Sequence, residues 1–112
     1  MKKLQDQYKA FEKAVNRKDR QKYVLTLYVA GISPRSEQAI RSVKELCEQH
    51  LKDRYELQIV DIYQHPESLK EAQIVAAPTL VKKLPLPLRR LIGNMTDKER
   101  LILALDLVEA HR

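Results

Sequence analysis

The 112-residue sequence predicts one α/β domain with the order β-α-β-α-β-β-α behind an added N-terminal helix. Three observations carry that reading. The β-branched, aromatic run YVLTLYV is joined by a capped amphipathic helix to a second strand; TLVKKL, entered through a proline, leads through LPLPL to a short fourth strand; and TDKERLILALDLV closes the chain with a helix-start signal and helical apolar spacing. With 44% hydrophobic and 32% charged residues, two Gly and five Pro, the composition is that of a globular chain, neither disordered nor collagen-like.

Residues 1–22 read as an amphipathic helix, because Leu4, Tyr8, Phe11 and Val15 recur at spacings of four, three and four between Lys, Asp, Gln and Glu. The seam covers barely two heptads and is too short to hold alone, so it docks on its own domain or on a second copy, or it serves as a basic arm for an outside partner. Residues 1–21 are therefore an extension, and residues 22–112 the domain. Tyr23–Val29 is apolar on both faces, as a central buried strand requires, and Ala30-Gly31 ends it. Ser33 then caps a helix with Pro34 at its first position, and Ala39, Ile40, Val43, Leu46, Cys47 and Leu51 follow at helical spacing to about Asp53. Tyr55–Ile62 is the second strand, parallel to the first through a right-handed crossover. Pro66 opens a short helix, PESLKEAQI, and the third strand starts near Thr79 because Pro78 interrupts the run before it. Pro85 and Pro87 force a turn into a short edge-like strand, Arg89–Ile92, ended by Gly93-Asn94. Thr96 with Glu99 three residues on forms a capping box, and Leu101, Ala104, Leu105 and Val108 give the last helix, over 96–110, its apolar face. This is the thioredoxin-like order.

The charge is uneven. Residues 1–22 hold eight Lys/Arg against three acids, while residues 23–112 hold thirteen against twelve. The body is thus nearly neutral and only the arm is basic, which argues against nucleic acid as a partner. No apolar h-region follows MKKL and the longest near-apolar run, LILALDLV, contains Asp106, so neither export nor a membrane span is expected and the chain reads as cytoplasmic.

A thioredoxin-type enzyme needs two thiols, one to attack and one to resolve, at the turn after the first strand. That turn here is GISPRS, and the single cysteine, Cys47, lies on the apolar stripe of the first long helix. His50, His65 and His111 are far apart, no glycine-rich phosphate loop exists, and no metal or cofactor is expected. Ala77-Pro78 sits where a strand is entered and suits either a cis bond with a tight turn or an ordinary trans start. The basic quartet Lys82, Lys83, Arg89 and Arg90 flanks LPLPL on neighbouring strands, and is open to two readings: a solvated edge that blocks aggregation, or a docking surface for an acidic partner.

YVLTLYVAGISPRS, VDIYQHPE, AAPTLVKKLPLPLRRLIGNMTDKE and LDL, at these mutual spacings, resemble the KaiB circadian-clock protein family over residues 22–108, and the strings A-x-P-T-L and L-P-x-P-x-R-R-x-I-G make the resemblance specific. It implies a non-enzymatic regulator that docks on a KaiC-type hexameric ATPase and autokinase and modulates its phosphorylation state, in circadian-like timing or stress adaptation. It also implies metamorphism: an oligomeric ground-state fold, dimer or tetramer, exchanging with a monomeric thioredoxin-like one in which the C-terminal half is refolded. LILALDL suits both a capped helix and a buried strand. Where typical clock members carry Gly and an aromatic residue, this chain carries Ala104 and Glu109, and Ala favours the helical form; Asp106 keeps the family's residue. Pro78, Gly93, Ala104 and Asp106 are thereby marked as structural or fold-switch positions, and Lys82, Lys83, Arg89, Arg90 and Tyr55 as partner-binding ones. The alternatives are a thioredoxin-like adaptor for another signalling protein such as a histidine kinase, a thiol redox enzyme, and nucleic-acid binding through the arm.

Overall fold

Strand β1 (Tyr23–Val29) occupies the middle of a four-stranded sheet of order β2-β1-β3-β4. The structure is a computed structural model and describes residues 22–107; the helix expected over 1–22, apart from Lys22, and residues 108–110 of the expected last helix lie outside the described residues. β2 (Tyr55–Asp61) runs parallel to β1 from Tyr23↔Tyr55 to Val29↔Asp61, β3 (Thr79–Leu84) is antiparallel to β1, and β4 (Arg89–Ile92) is antiparallel to β3. β1 is central because its alternate side chains are apolar on both faces. Leu25, Leu27 and Val29 face one layer, Tyr28 the other, and all are buried.

The first layer is α1 (Pro34–His50) with α3 (Lys98–Ala104). α1 starts where the sequence says it should: the Ser33 hydroxyl accepts from the Ser36 amide at 3.1 Å, and Pro34 holds the first helical position, where no amide partner is needed. It ends at His50, with Leu51 as its cap, and buries Ala39, Val43, Leu46 and Cys47 against β1. The opposite face carries only a small cluster, Tyr28, Ile74 and Val81, with Val60, Ile62 and Ala72 against it. α2 (Glu67–Glu71) beside that cluster has five residues, none of them buried, and stops short of the helix expected through Ile74, because Gln73 turns left-handed at φ 55°.

α3 departs from the expectation at both ends. Its cap is Asp97, not Thr96: the Asp97 carboxylate accepts from the Glu99 amide at 3.1 Å and the Arg100 amide at 3.3 Å, whereas the Thr96 hydroxyl donates to Asn94 at 2.6 Å. Asp outcompetes Thr because its oxygens are charged and face the positive end of the helix. The helix then ends at Ala104 rather than continuing to residue 110. Asp106 adopts φ 54°, its amide donates to the Leu103 carbonyl and the Leu107 amide to that of Ile102, the two bonds of a left-handed helix stop. Replacing Asp97 by Ala is expected to lower stability by about 1 kcal/mol and Thr96→Ala by much less. Urea unfolding followed by far-UV circular dichroism separates the two.

Candidate functional site

The basic hairpin is divided by the pleat of its own strands. Lys82 pairs with Arg89 across the β3–β4 ladder and Val81 with Arg90, so Lys82 and Arg89 point to the α1/α3 layer while Lys83 and Arg90 point away from it. The quartet expected as one surface is therefore two pairs.

On the inner face, the Lys82 side chain is 1% exposed and its ammonium donates to the Asp106 carboxylate at 3.2 Å; the half-exposed Arg89 donates from Nε to the same oxygen at 3.0 Å. These hydrogen bonds, Arg89's first and then Lys82's, hold the Asp106 carboxyl below the usual aspartate range. The Asp106 carbonyl also accepts from the Tyr23 hydroxyl at 3.3 Å. Lys82 is thus no docking residue in this fold. It is a buried cation, neutralised by the residue that terminates α3, and this is a correction to its reading as a surface charge. Asp106, marked in the sequence as a structural or fold-switch position, makes these contacts in the thioredoxin-like fold, and sequence reading did not foresee them.

On the outer face, Lys83 and Arg90 border a groove of about 510 Å³ floored by Tyr28 and Val81 and walled by Leu88 and Ala72. Neither base has a carboxylate within ion-pair distance among the described residues. Burial pushes the Tyr28 phenol above its ordinary range, against which the nearby Arg90 cation acts. The groove exists because α2 is too short to cover the whole face. Its apolar floor is legible in the alternation of β1 and β3; its walls, from a loop leucine and α2, are not.

The remaining positions are dispersed. The Tyr55 hydroxyl, at the start of edge strand β2, donates to Glu48 of α1 at 2.7 Å, a bond that pushes the phenol up to about 12. Pro78 follows a cis bond, as do Pro85 and Pro87, and its carbonyl accepts from the Gly93 amide at 3.0 Å. Gly93 stands at φ 105°, a conformation that a side chain disfavours. Both also border a cleft of about 350 Å³ beside the first turn of α1, with Arg35 and Asn94 on its walls. Ala104 packs partly buried on the core as the last residue of α3, where the advantage of Ala over Gly is smaller than inside a helix.

A thiol site is absent from the position the fold would give it. Cys47 is fully buried in the α1–β1 core, and desolvation pushes its thiol up to about 12, the state of a packing residue rather than a nucleophile. Among the described residues no group of three His, Cys, Asp or Glu could hold a metal ion, and no helix is long and apolar enough to cross a membrane.

The KaiB domain matches residues 26–107. Circadian clock protein KaiB3 of Synechocystis sp. is 42% identical over 90 residues, 80% of this chain and 88% of that protein. Circadian clock oscillator protein KaiB of Synechococcus elongatus is 42% identical over 89 residues, 80% and 87% of the two chains. Among solved structures, the N-terminal domain of Synechococcus elongatus SasA superposes with a TM-score of 0.64 at 26% identity, covering 80% of this chain and 88% of that one. Mitochondrial thioredoxin 3 of Saccharomyces cerevisiae, at 15% identity and a TM-score of 0.61 over 86% and 88%, shows the fold alone. A thioredoxin-like frame without a thiol pair, matched over most of its length by clock proteins, belongs to the KaiB family of non-enzymatic circadian clock proteins.

Proposed function

We propose that this chain regulates a KaiC-type hexameric ATPase by docking on it in the thioredoxin-like fold through the outer face of the hairpin, and so modulates the ATPase's phosphorylation state. The observation that carries this reading is the pair Lys83 and Arg90, exposed without carboxylate partners over an apolar floor. Such a surface combines burial for affinity with charge for orientation toward an acidic face. Arg89, held by Asp106 on the inner face, stands apart from this surface, and Tyr55 marks the edge strand as a secondary contact. The reading places the protein in the cytoplasm, with a dimer or tetramer of the ground-state fold as the unbound reservoir and residues 22–112 as the docking domain.

The test is titration of the purified full chain against the host's KaiC-type ATPase, in ATP and in ADP, read by anisotropy and by autophosphorylation. Saturable binding with an altered phosphorylation course supports the proposal. Absence of binding in both nucleotides overturns it. The likeness to the SasA N-terminal domain favours one further reading, an adaptor for a histidine kinase, and titration against such a kinase distinguishes it.

A further inference from the structure

We infer that the groove on the outer face contains a carboxylate-specific pocket: the Tyr28 hydroxyl donates to an aspartate or glutamate side chain of the protein partner, whose charge Lys83 and Arg90 meet. The identity of the partner rests on the function proposed above; the pocket rests on the chemistry of the groove itself.

Tyr28 is a polar group that the fold leaves unused. It is 4% exposed on the outer face of β1 and lines the groove of about 510 Å³. The hydroxyls of Tyr23 and Tyr55 donate to the Asp106 carbonyl and to Glu48, and that of Ser68, the other hydroxyl on the groove wall, donates to the His65 carbonyl. The Tyr28 hydroxyl has no hydrogen-bond partner among the described residues, yet no fully buried side-chain oxygen or nitrogen among them is left unpaired. Its oxygen therefore opens into the groove. A donor placed in this way, among Val81, Leu88 and Ala72, is penalised when an apolar group covers it and gains most from a charged acceptor.

Three charges select what the hydroxyl meets. Lys83 and Arg90 border the groove on the strand side and Glu71 on the α2 side, and none of the three is in an ion pair among the described residues. Arg90 and Glu71 both stand close enough to act on the phenol, in opposite senses. A cation entering here meets two like charges against one opposite, and a neutral apolar side chain leaves the hydroxyl unpaired. A carboxylate on the strand side takes the hydroxyl's hydrogen bond and both bases together. Burial pushes the phenol above its ordinary range, so it is protonated at neutral pH and available as the donor. The exposed Leu84, Leu86 and Leu88 beside the groove match apolar neighbours of that acid, which favours a protein segment over a free small acid. Lys83 and Arg90 act on a partner at a distance, whereas Tyr28 acts only once contact is made.

Two measurements test the pocket. In the first, the full chain carrying carbon-13 at the tyrosine Cζ positions is titrated with N-acetyl-glutamate N-methylamide and with its glutamine counterpart, the Tyr28 signal being identified by its loss in Tyr28→Phe. A saturable shift of that signal with the glutamate compound alone is expected, abolished in Arg90→Gln and half-complete at about half the ligand concentration in Glu71→Gln, where a repelling charge is removed. Equal response to both compounds, response to neither, or weaker binding in Glu71→Gln overturns the pocket. In the second, Tyr28→Phe, which keeps the ring, should leave the KaiC-type ATPase about tenfold faster, the order expected for a lost hydrogen bond to a charged group, with the association rate and its salt dependence unchanged. An unchanged dissociation rate overturns the pocket and leaves the docking in place. A glutamate-specific shift in a chain that the ATPase does not bind overturns the docking and leaves the pocket in place.

Discussion

Asp106→Asn should lower the unfolding free energy by about 2 kcal/mol, because it removes the only carboxylate among the described residues within 4 Å of a fully buried ammonium while keeping a side chain that tolerates φ 54°. A wholly buried pair broken on one side costs about 3–5 kcal/mol; here Asp106 is 40% exposed and the Asn amide still accepts a hydrogen bond, which reduces the figure. Lys82→Met fills the same volume without charge, and Lys82→Met with Asp106→Asn should regain most of the loss. Urea midpoints of the two single variants and the double one close the cycle. A loss below about 0.5 kcal/mol would mean that Lys82 finds water in place of Asp106. The same contacts set a pH dependence. Since the folded Asp106 pKa lies below its unfolded value of 3.8, the stability it contributes is complete above that value and is lost as the pH falls through the folded one. Asp106→Asn should flatten the acid limb of stability, and leave the neutral limb unchanged in slope.

The second large effect is on association. Lys83→Glu with Arg90→Glu reverses both charges over the groove, and should slow binding to the KaiC-type ATPase by about 10- to 100-fold at low ionic strength, with less difference in high salt. Lys98→Glu with Arg100→Glu makes the same change of net charge on exposed positions of α3, on the other layer of the molecule. If that control slows association equally, overall charge and not the outer face steers the encounter. Stopped-flow rates at two ionic strengths read both.

The element order, the bounds of β1 and β4 and the start of α1 were legible because each rests on local chemistry: a β-branched apolar run, a Ser-Pro cap, prolines that no central strand admits. The end of α3 was not. Apolar spacing continues past Leu105, but Asp106 is drawn out of the helix by Lys82 and Arg89, which are 24 and 17 positions away in sequence. For the site, the sequence showed four bases and the pleat decided their fate. Strict alternation along β3 puts Lys82 and Lys83 on opposite faces, a signal present in the sequence once the strand is assigned. What no local pattern contains is that one face would be closed by α3 and the other left open by a five-residue α2.

Cys47 gives the fold its last consequence. In a dithiol protein of this shape the turn after β1 reports the oxidation state of its surroundings, because sulfur there exchanges electrons. Here the chain's one sulfhydryl sits in the α1–β1 core, held protonated at neutral pH. Its burial withholds this thiol from the exchange chemistry that an exposed thiolate at that turn would offer, and leaves it a packing group of the core.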